Sequence, residues 1–209
     1  MSQAFSAAVP VRVWKVGGSL LTLPDLDRRL ERAMRAVEPA RPLIVVGGGE
    51  AADLVRRWDR LHRLGQEQAH WLALEALGLN ERLLLELLDE AGRVSTRPEA
   101  ERAWADGRLP VLHAVAFVAA EEGTAPVCLP HCWDVTSDSV AAWVAAVWPA
   151  TELVLLKSTE LPPGLSHAGA AERKLVDPWF PQAASHVAAI RWINLRADPT
   201  HVATLSASS

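Results

Sequence analysis

The sequence predicts an α/β fold with a mainly parallel central sheet, as one domain over residues 1–209. Short apolar runs at 11–16, 43–46 and 153–156 alternate with longer segments of helical apolar spacing. Two of these runs continue directly into glycines, as parallel strands often do where a ligand lies beyond their carboxyl ends.

The first third of the chain predicts strand, helix, strand, helix. Residues 11–16 are rich in β-branched side chains and predict a strand. A helix is predicted at 24–37, because proline and aspartate suit its first turn. Residues 43–46 predict a buried strand, and 50–61 predict the helix that follows it.

Residues 66–90 predict a long helix that is apolar over much of its circumference and therefore buried on several sides. Gly78 and Asn80 are candidate interruptions. One stripe of this helix contains Leu72, Ala76, Leu79, Leu83 and Leu87. Because this surface exceeds what one core face needs, it also indicates a homodimer or a dimer-based assembly.

The remaining elements are shorter. Residues 109–118 predict a strand and 119–133 a loop, and Thr136 is a candidate cap for a helix with apolar positions through Trp148. The predicted order then continues with a strand at 153–156, a loop at 158–173, a short helix at 177–185, and strands at 190–195 and 201–205.

Composition excludes several functional classes. The 209 residues carry a net charge of -4 with 22% charged residues, which does not favour a nucleic-acid-binding protein. There is neither an apolar stretch long enough for a membrane span nor a signal-peptide pattern at the start, and the two cysteines are too few for a disulfide framework. We therefore expect a cytoplasmic protein without nucleic-acid or membrane partners.

Lysine is scarce. Of 21 basic residues only Lys15, Lys157 and Lys174 are lysines. An ammonium on a flexible stem suits contact with a phosphate oxygen that moves, so a lysine kept in an arginine-rich chain indicates a chemical role. This argument is strongest for Lys15.

The first glycine turn pairs Gly17 and Gly18 with Lys15 and Ser19. Glycine lets the backbone approach an anion and present its N–H groups, the serine adds a hydroxyl, and Lys15 adds charge from the same side of the strand. The spacing matches neither a Walker loop nor a dinucleotide-binding fingerprint. It is compatible with polyphosphate binding, and also with a plain strand-to-helix turn.

A second turn, Gly47-Gly48-Gly49, follows the next strand. Three consecutive glycines cost backbone entropy, which a ligand that touches the backbone would justify. Two such turns suit two anionic ligands that meet head to head. Asp53 and Arg56, on the following helix, either face this second ligand or belong to a solvated helix face.

Asp138 lies in the first turn of a predicted helix. It is either a favourable charge at a helix N-terminus or an acid that holds two lysines in place. Cys128, His131 and Cys132 lack the second ligand pair of a zinc site, so no protein metal site is predicted. His113, in a predicted strand, is interpreted as a core histidine.

Four ordered motifs together resemble the amino acid kinase family, which includes acetylglutamate, aspartate, uridylate and isopentenyl phosphate kinases. The motifs are Lys15-Val16-Gly17-Gly18-Ser19, Val45-Val46-Gly47-Gly48-Gly49, Thr136-Ser137-Asp138-Ser139-Val140-Ala141-Ala142 and Leu155-Leu156-Lys157-Ser158-Thr159. The short length and the segment Val176-Asp177-Pro178-Trp179-Phe180 most resemble a small branch typified by the methanofuran-biosynthesis kinase. That kinase converts [5-(aminomethyl)furan-3-yl]methyl phosphate to its diphosphate.

This resemblance implies a three-layer αβα sandwich and an ATP-dependent kinase that uses Mg²⁺ between phosphate oxygens. It implies nucleotide contacts from Gly17, Gly18, Ser19, Lys157, Ser158 and Thr159. It implies acceptor contacts from Gly47, Gly48 and Gly49, with Asp53 and Arg56 as further candidates. Lys15 would bridge the phosphates, and Asp138 would organise the lysines.

The second phosphate-binding lysine is either Lys157 or Lys174, because residues 171–174 only loosely match the family's late Gly-Gly-Met-x-x-Lys motif. We prefer Lys174 for the phosphate and Lys157 for the nucleotide pocket. The acceptor is a small phosphate-bearing molecule or, alternatively, a carboxylate. A protein of the same fold that stores a nucleotide or oxyanion without turnover is the other alternative.

Overall fold

The computed structural model describes residues 9–197 and 201–206. In this part of the chain one sheet contains β1 (Val11–Val16), β2 (Arg41–Val46), β3 (Ala91–Val94), β4 (Leu109–Leu112), β5 (Glu152–Lys157), β6 (Ile190–Asn194) and β7 (His201–Thr204). The strand order is β3-β4-β2-β1-β5-β6-β7. Neighbouring strands pair in parallel except β6 and β7, so the predicted mainly parallel α/β class is confirmed.

The helices fill the connections between strands. They are α1 (Leu26–Arg35), α2 (Gly49–His62), α3 (Gln66–Leu87), α4 (Arg97–Ala105), α5 (Ala114–Glu121), α6 (Ser137–Val147), α7 (His167–Glu172) and α8 (Phe180–Ala184). A short 3-10 helix, Gly18–Thr22, follows β1. None of these helices, over residues 9–197 and 201–206, is both long enough and apolar enough to cross a bilayer.

The sheet separates two hydrophobic cores. Because strand side chains alternate, Val13 and Leu155 pack with α6 and α8 on one face, while Trp14 and Leu156 pack with α1 on the other. The protein therefore has the expected three layers. Lys15 shares the α6 face with Val13, since it lies two residues further along the same strand.

Helix α3 is continuous through Gly78 and Asn80, so the proposed interruption is wrong. Leu77 and Leu84 are buried, but Leu79 and Leu83 are exposed, at 68% and 41%. The expectation that this helix is buried on several sides is therefore wrong for the stripe that these two leucines share with Leu87.

The predicted strand at 109–118 is wrong beyond Leu112. The chain turns at His113 and continues as α5, because the buried carboxylate of Glu81 accepts a hydrogen bond from the Ala114 N–H at 3.0 Å and contacts His113 Nδ1 at 2.8 Å. A tertiary contact thus starts the helix. His113 is half-buried at this helix start and is not a residue of a strand.

The predicted loop at 158–173 contains α7, and the sequence pattern gave no assignment for β3 and α4. A signal for α4 was present. Thr96 caps this helix by accepting from the Glu99 N–H at 3.4 Å, and Glu99 in turn accepts from the Ser95 N–H at 2.6 Å. Thr96 and Glu99 have the spacing of a capping box, with the Glu99 side chain bonded to the N–H one residue before the cap.

Candidate active site

Three charged side chains meet at the carboxyl end of the sheet. Lys15 Nζ lies 2.8 Å from Asp138 Oδ1, and Lys157 Nζ lies 2.6 Å from Asp138 Oδ2. Both Lys15 and Asp138 are almost fully buried. One carboxylate therefore bridges two ammonium groups, and we call this arrangement the Lys–Asp–Lys triad.

Strand alternation brings the triad together. β1 and β5 are neighbours in register, with Lys15 opposite Leu155, and Lys157 lies two residues beyond Leu155. Both lysines therefore point to the face covered by α6. Asp138, in the first turn of α6, meets them there.

The triad carries an excess positive charge. Burial favours the neutral acid, but Lys15 and Lys157 outweigh it and lower the pKa of Asp138 to about 2. For Lys157, burial and the nearby Lys15 lower the pKa, against the opposing attraction of Asp138. Two ammonium groups that share one carboxylate leave a net charge of about +1, which attracts a phosphate oxygen.

The start of α6 is held by Asp177, a residue that the sequence reasoning did not single out as functional. Its carboxylate accepts from the Thr136 N–H at 3.1 Å, the Thr136 hydroxyl at 2.8 Å and the Ser139 N–H at 3.0 Å. Thr136 is the N-cap residue, as expected, but its side chain makes no capping hydrogen bond, and Asp177 accepts from the first turn instead. Burial, with the adjacent charge of Asp138, raises the pKa of Asp177.

The two candidate second lysines have different surroundings. Lys157 donates to the Leu175 carbonyl at 2.7 Å as well as to Asp138, and its ammonium lies 5.2 Å from the centre of the Trp192 ring. Lys174 is exposed in the turn after α7, with a φ of 56°. The structure thus brings Lys157, and not Lys174, to Asp138.

The two glycine turns touch each other. A Cβ at Gly18 would overlap with the backbone nitrogen of Gly49, and a Cβ at Gly47 would lie 2.7 Å from the nitrogen of Gly18. Gly49 also has a φ of 47°, in the left-handed region. Backbone packing is therefore a sufficient structural reason for these glycines, in addition to any approach of a ligand.

The predicted nucleotide residues lie together beyond β1 and β5. The Ser19 hydroxyl donates to the Ser158 hydroxyl at 3.2 Å, and the Thr159 carbonyl accepts from Trp192 Nε1 at 2.8 Å. Arg196, which follows β6, donates to the Ser19 carbonyl at 2.8 Å. Sequence reasoning missed Arg196, since its residue type and spacing match no motif.

A cavity of about 270 Å³ opens beside Lys15 and Gly18, along α2 and α3. Its wall includes Gly48 and Gly49 from the second turn together with Asp53 and Arg56, the residues expected there. The wall also contains residues that were not predicted as site residues: Ala52, His70, Ala73, Leu74, Leu77, Trp133, Val135, Thr136, Ser137 and Val140.

Two features shape this cavity wall. Arg56 forms an ion pair with Asp53 at 2.8 Å, and its guanidinium lies 4.9 Å from the centre of the Trp133 ring. His70 is buried and stacks on His131, and burial with the adjacent His131 lowers its pKa to about 4. At neutral pH His70 is therefore an uncharged group.

The cysteines give no metal centre. Cys128 is exposed and Cys132 is half-buried, and both are free thiols. In residues 9–197 and 201–206, no group of three or more His, Cys, Asp or Glu side chains is arranged to hold a metal ion.

Solved structures share this fold. Uridylate kinase from Archaeoglobus fulgidus superposes with a TM-score of 0.57 at 18% identity, covering 88% of this chain and 89% of that one. UMP kinase from Ureaplasma parvum gives 0.64 at 14% identity, covering 92% of each. UMP kinase from Bacillus anthracis gives 0.59 at 12% identity, covering 91% of this chain and 89% of that one. At these identities the likeness establishes the fold alone.

Family comparison is more direct. The search of curated proteins found no match. The family model described as the amino acid kinase family matches residues 10–160, which include both glycine turns and the whole triad. This match supports a phosphoryl-transfer kinase. The chain belongs to the amino acid kinase family.

Proposed function

We propose that this protein transfers the γ-phosphoryl group of ATP to a small anionic acceptor. The observation that carries the proposal is the Lys–Asp–Lys triad, in which Lys15 lines the cavity along α2 and α3 and Lys157 precedes Ser158, a predicted nucleotide residue. A buried positive charge between two ligands suits a reaction whose catalysis is mostly positioning and charge neutralisation.

Lys15 lines the cavity and lies in β1, two residues before the first glycine turn, so we expect it to contact the transferred group. Lys157 lies on the nucleotide side, next to Ser158. We assign Lys157 as the second phosphate-binding lysine because Asp138 holds it, while Lys174 is exposed.

Magnesium fits this site through the phosphates. Both carboxylate oxygens of Asp138 contact lysine ammonium groups, whose positive charge disfavours a metal ion at this residue. Mg²⁺ commonly keeps its waters and binds substrate phosphate oxygens. Bound in that way with ATP, it would supply charge neutralisation across the phosphates.

The cavity favours a small acceptor. Its volume of about 270 Å³ is just below the range of roughly 300–1,000 Å³ that is usual for ligand pockets. Apolar walls, one Asp–Arg pair and a neutral histidine suit a ring-sized body with one anionic end. The resemblance to the methanofuran-biosynthesis branch makes [5-(aminomethyl)furan-3-yl]methyl phosphate the first compound to test, and a carboxylate the second.

An ADP-release assay with Mg²⁺ tests this function. The panel contains the furanmethyl phosphate, UMP and N-acetylglutamate. We expect turnover with a small phosphate, and a loss of about 10²-fold in kcat in Lys157→Ala but not in the matched control Lys174→Ala. Binding of ATP without ADP release for any acceptor would instead indicate a storage protein. A reversed order of the two lysine variants would refute the assignment of Lys157.

A further inference from the structure

Asn80 is a polar residue on the buried side of α3, where its neighbours Leu77 and Leu84 belong to the hydrophobic cores. Burial of a side-chain amide costs free energy unless its polar atoms are hydrogen-bonded. The partners of Asn80 therefore indicate why this helix carries an amide at this position.

The amide nitrogen of Asn80 donates to two backbone oxygens of the second glycine turn. Asn80 Nδ2 lies 2.7 Å from the Gly47 carbonyl oxygen and 2.7 Å from the Gly48 carbonyl oxygen. Asn80 itself lies behind the turn, outside the lining of the cavity. Both of its N–H groups are thus used to hold two consecutive peptide groups.

Because Asn80 holds these two carbonyls, it also fixes the N–H groups on the opposite edge of the same two peptide planes. In a planar trans peptide the C=O and the following N–H point in opposite directions, so the N–H groups of Gly48 and Gly49 point away from Asn80. Gly48 and Gly49 line the cavity together with Lys15. The Gly48 carbonyl also accepts from the Ala52 N–H of α2 at 3.2 Å, so Asn80 shares the hold on this peptide with the helix. A glycine peptide that loses such a hydrogen bond rotates at lower cost and could present a carbonyl oxygen to an incoming anion.

We propose that Asn80 is a positioning residue for the acceptor, which keeps the N–H groups of Gly48 and Gly49 turned toward the anion. This inference rests on the proposed function, in which the second glycine turn takes the acceptor. Asn80 acts through the turn and does not touch the reacting atoms. Its loss therefore weakens acceptor binding and leaves nucleotide binding unchanged.

Titration with inorganic phosphate tests the proposal. Calorimetry measures phosphate affinity in protein saturated with Mg²⁺ and AMP-PNP, and AMP-PNP affinity separately. We expect Asn80→Leu to weaken phosphate binding about tenfold, as the loss of two hydrogen bonds predicts, with AMP-PNP affinity unchanged. Asn80→Ser keeps one donor and should give a smaller loss. Leu84→Ala, a buried change one turn further along α3, should lower Tm without changing either affinity.

Equal phosphate affinities in wild type and Asn80→Leu would overturn the proposal, and so would an equal loss of AMP-PNP affinity. If Asn80→Leu does not fold, an unchanged phosphate affinity in folded Asn80→Ser overturns it as well. Failure of the proposed function looks different. In that case even wild-type protein saturated with AMP-PNP does not bind phosphate. This result would refute the assignment of the turn as an acceptor site, and the role of Asn80 with it.

Discussion

Replacing Asp138 by asparagine should reduce both stability and activity. The substitution leaves the ammonium groups of Lys15 and Lys157 facing each other without the carboxylate that now lies 2.8 and 2.6 Å from them. Removal of one partner from a buried ion pair costs roughly 3–5 kcal/mol. We expect a loss of that size in urea unfolding at pH 7, and a fall in kcat of about 10²-fold as the lysines lose their positions.

The pH dependence separates this explanation from a simple packing defect. The pKa of Asp138 is about 2 in the folded protein, against 3.8 for an unperturbed aspartate, a difference equivalent to about 2 kcal/mol. Because the folded pKa is lowered, this stability is present above pH 3.8 and is lost as pH falls toward 2. Asp138→Asn should lack this acid-dependent loss.

The dependence of kcat on pH above neutrality gives a second test. Asp138 raises the pKa of Lys157 against burial and Lys15, so its removal should lower that pKa further. If Lys157 must be protonated for activity, then as pH is raised kcat of the variant should begin to fall at a lower pH than kcat of the wild type. Glu101→Gln, which breaks an exposed ion pair with Arg41, is the control and should change stability by at most about 1 kcal/mol. An unchanged free energy of unfolding together with an unchanged alkaline limb would refute the reasoning.

Three further predictions concern the rest of the site and the surface. Lys15→Ala should lower kcat by about 10²-fold in a folded protein, measured by ADP release, and an unchanged kcat would remove its catalytic role. Gly48→Ala places a Cβ 2.5 Å from the Ala52 Cβ, so α2 must shift; KM should rise for the acceptor more than for ATP, and equal shifts would contradict separate sites. The exposed Leu79 and Leu83 suit pairing with a second copy, so Leu79→Arg should convert a dimer to a monomer in light scattering at micromolar concentration, and a monomeric wild type would exclude this assembly.

The sequence predicted those parts of the fold that local patterns determine. Apolar strands that end at glycines were placed correctly, because a buried parallel strand has a continuous apolar pattern. By contrast, His113 begins a helix, since Glu81 from a distant part of the chain accepts from the next N–H. Local sequence cannot reveal such a contact.

In the candidate site, too, local motifs could be predicted from the sequence and tertiary contacts could not. Lys15, Asp138 and Lys157 were selected by type and motif, and strand register then brings them together. The preference for Lys174 followed a loose motif match, whereas the geometry depends on which side of β5 faces α6. Asp177 and Asn80 were not selected, because their roles consist of contacts with backbone more than thirty residues away.

The contact between the two glycine turns has a consequence for how specificity can evolve. Main-chain atoms of Gly18 and Gly49 set the spacing between the two turns, and glycine has no side chain whose exchange could adjust it without a backbone clash. The cavity wall, in contrast, consists of side chains such as Trp133 and His70 that can change one at a time. In the proposed reaction, new acceptors would therefore be selected through changes in the wall, while the distance between the two glycine turns stays the same.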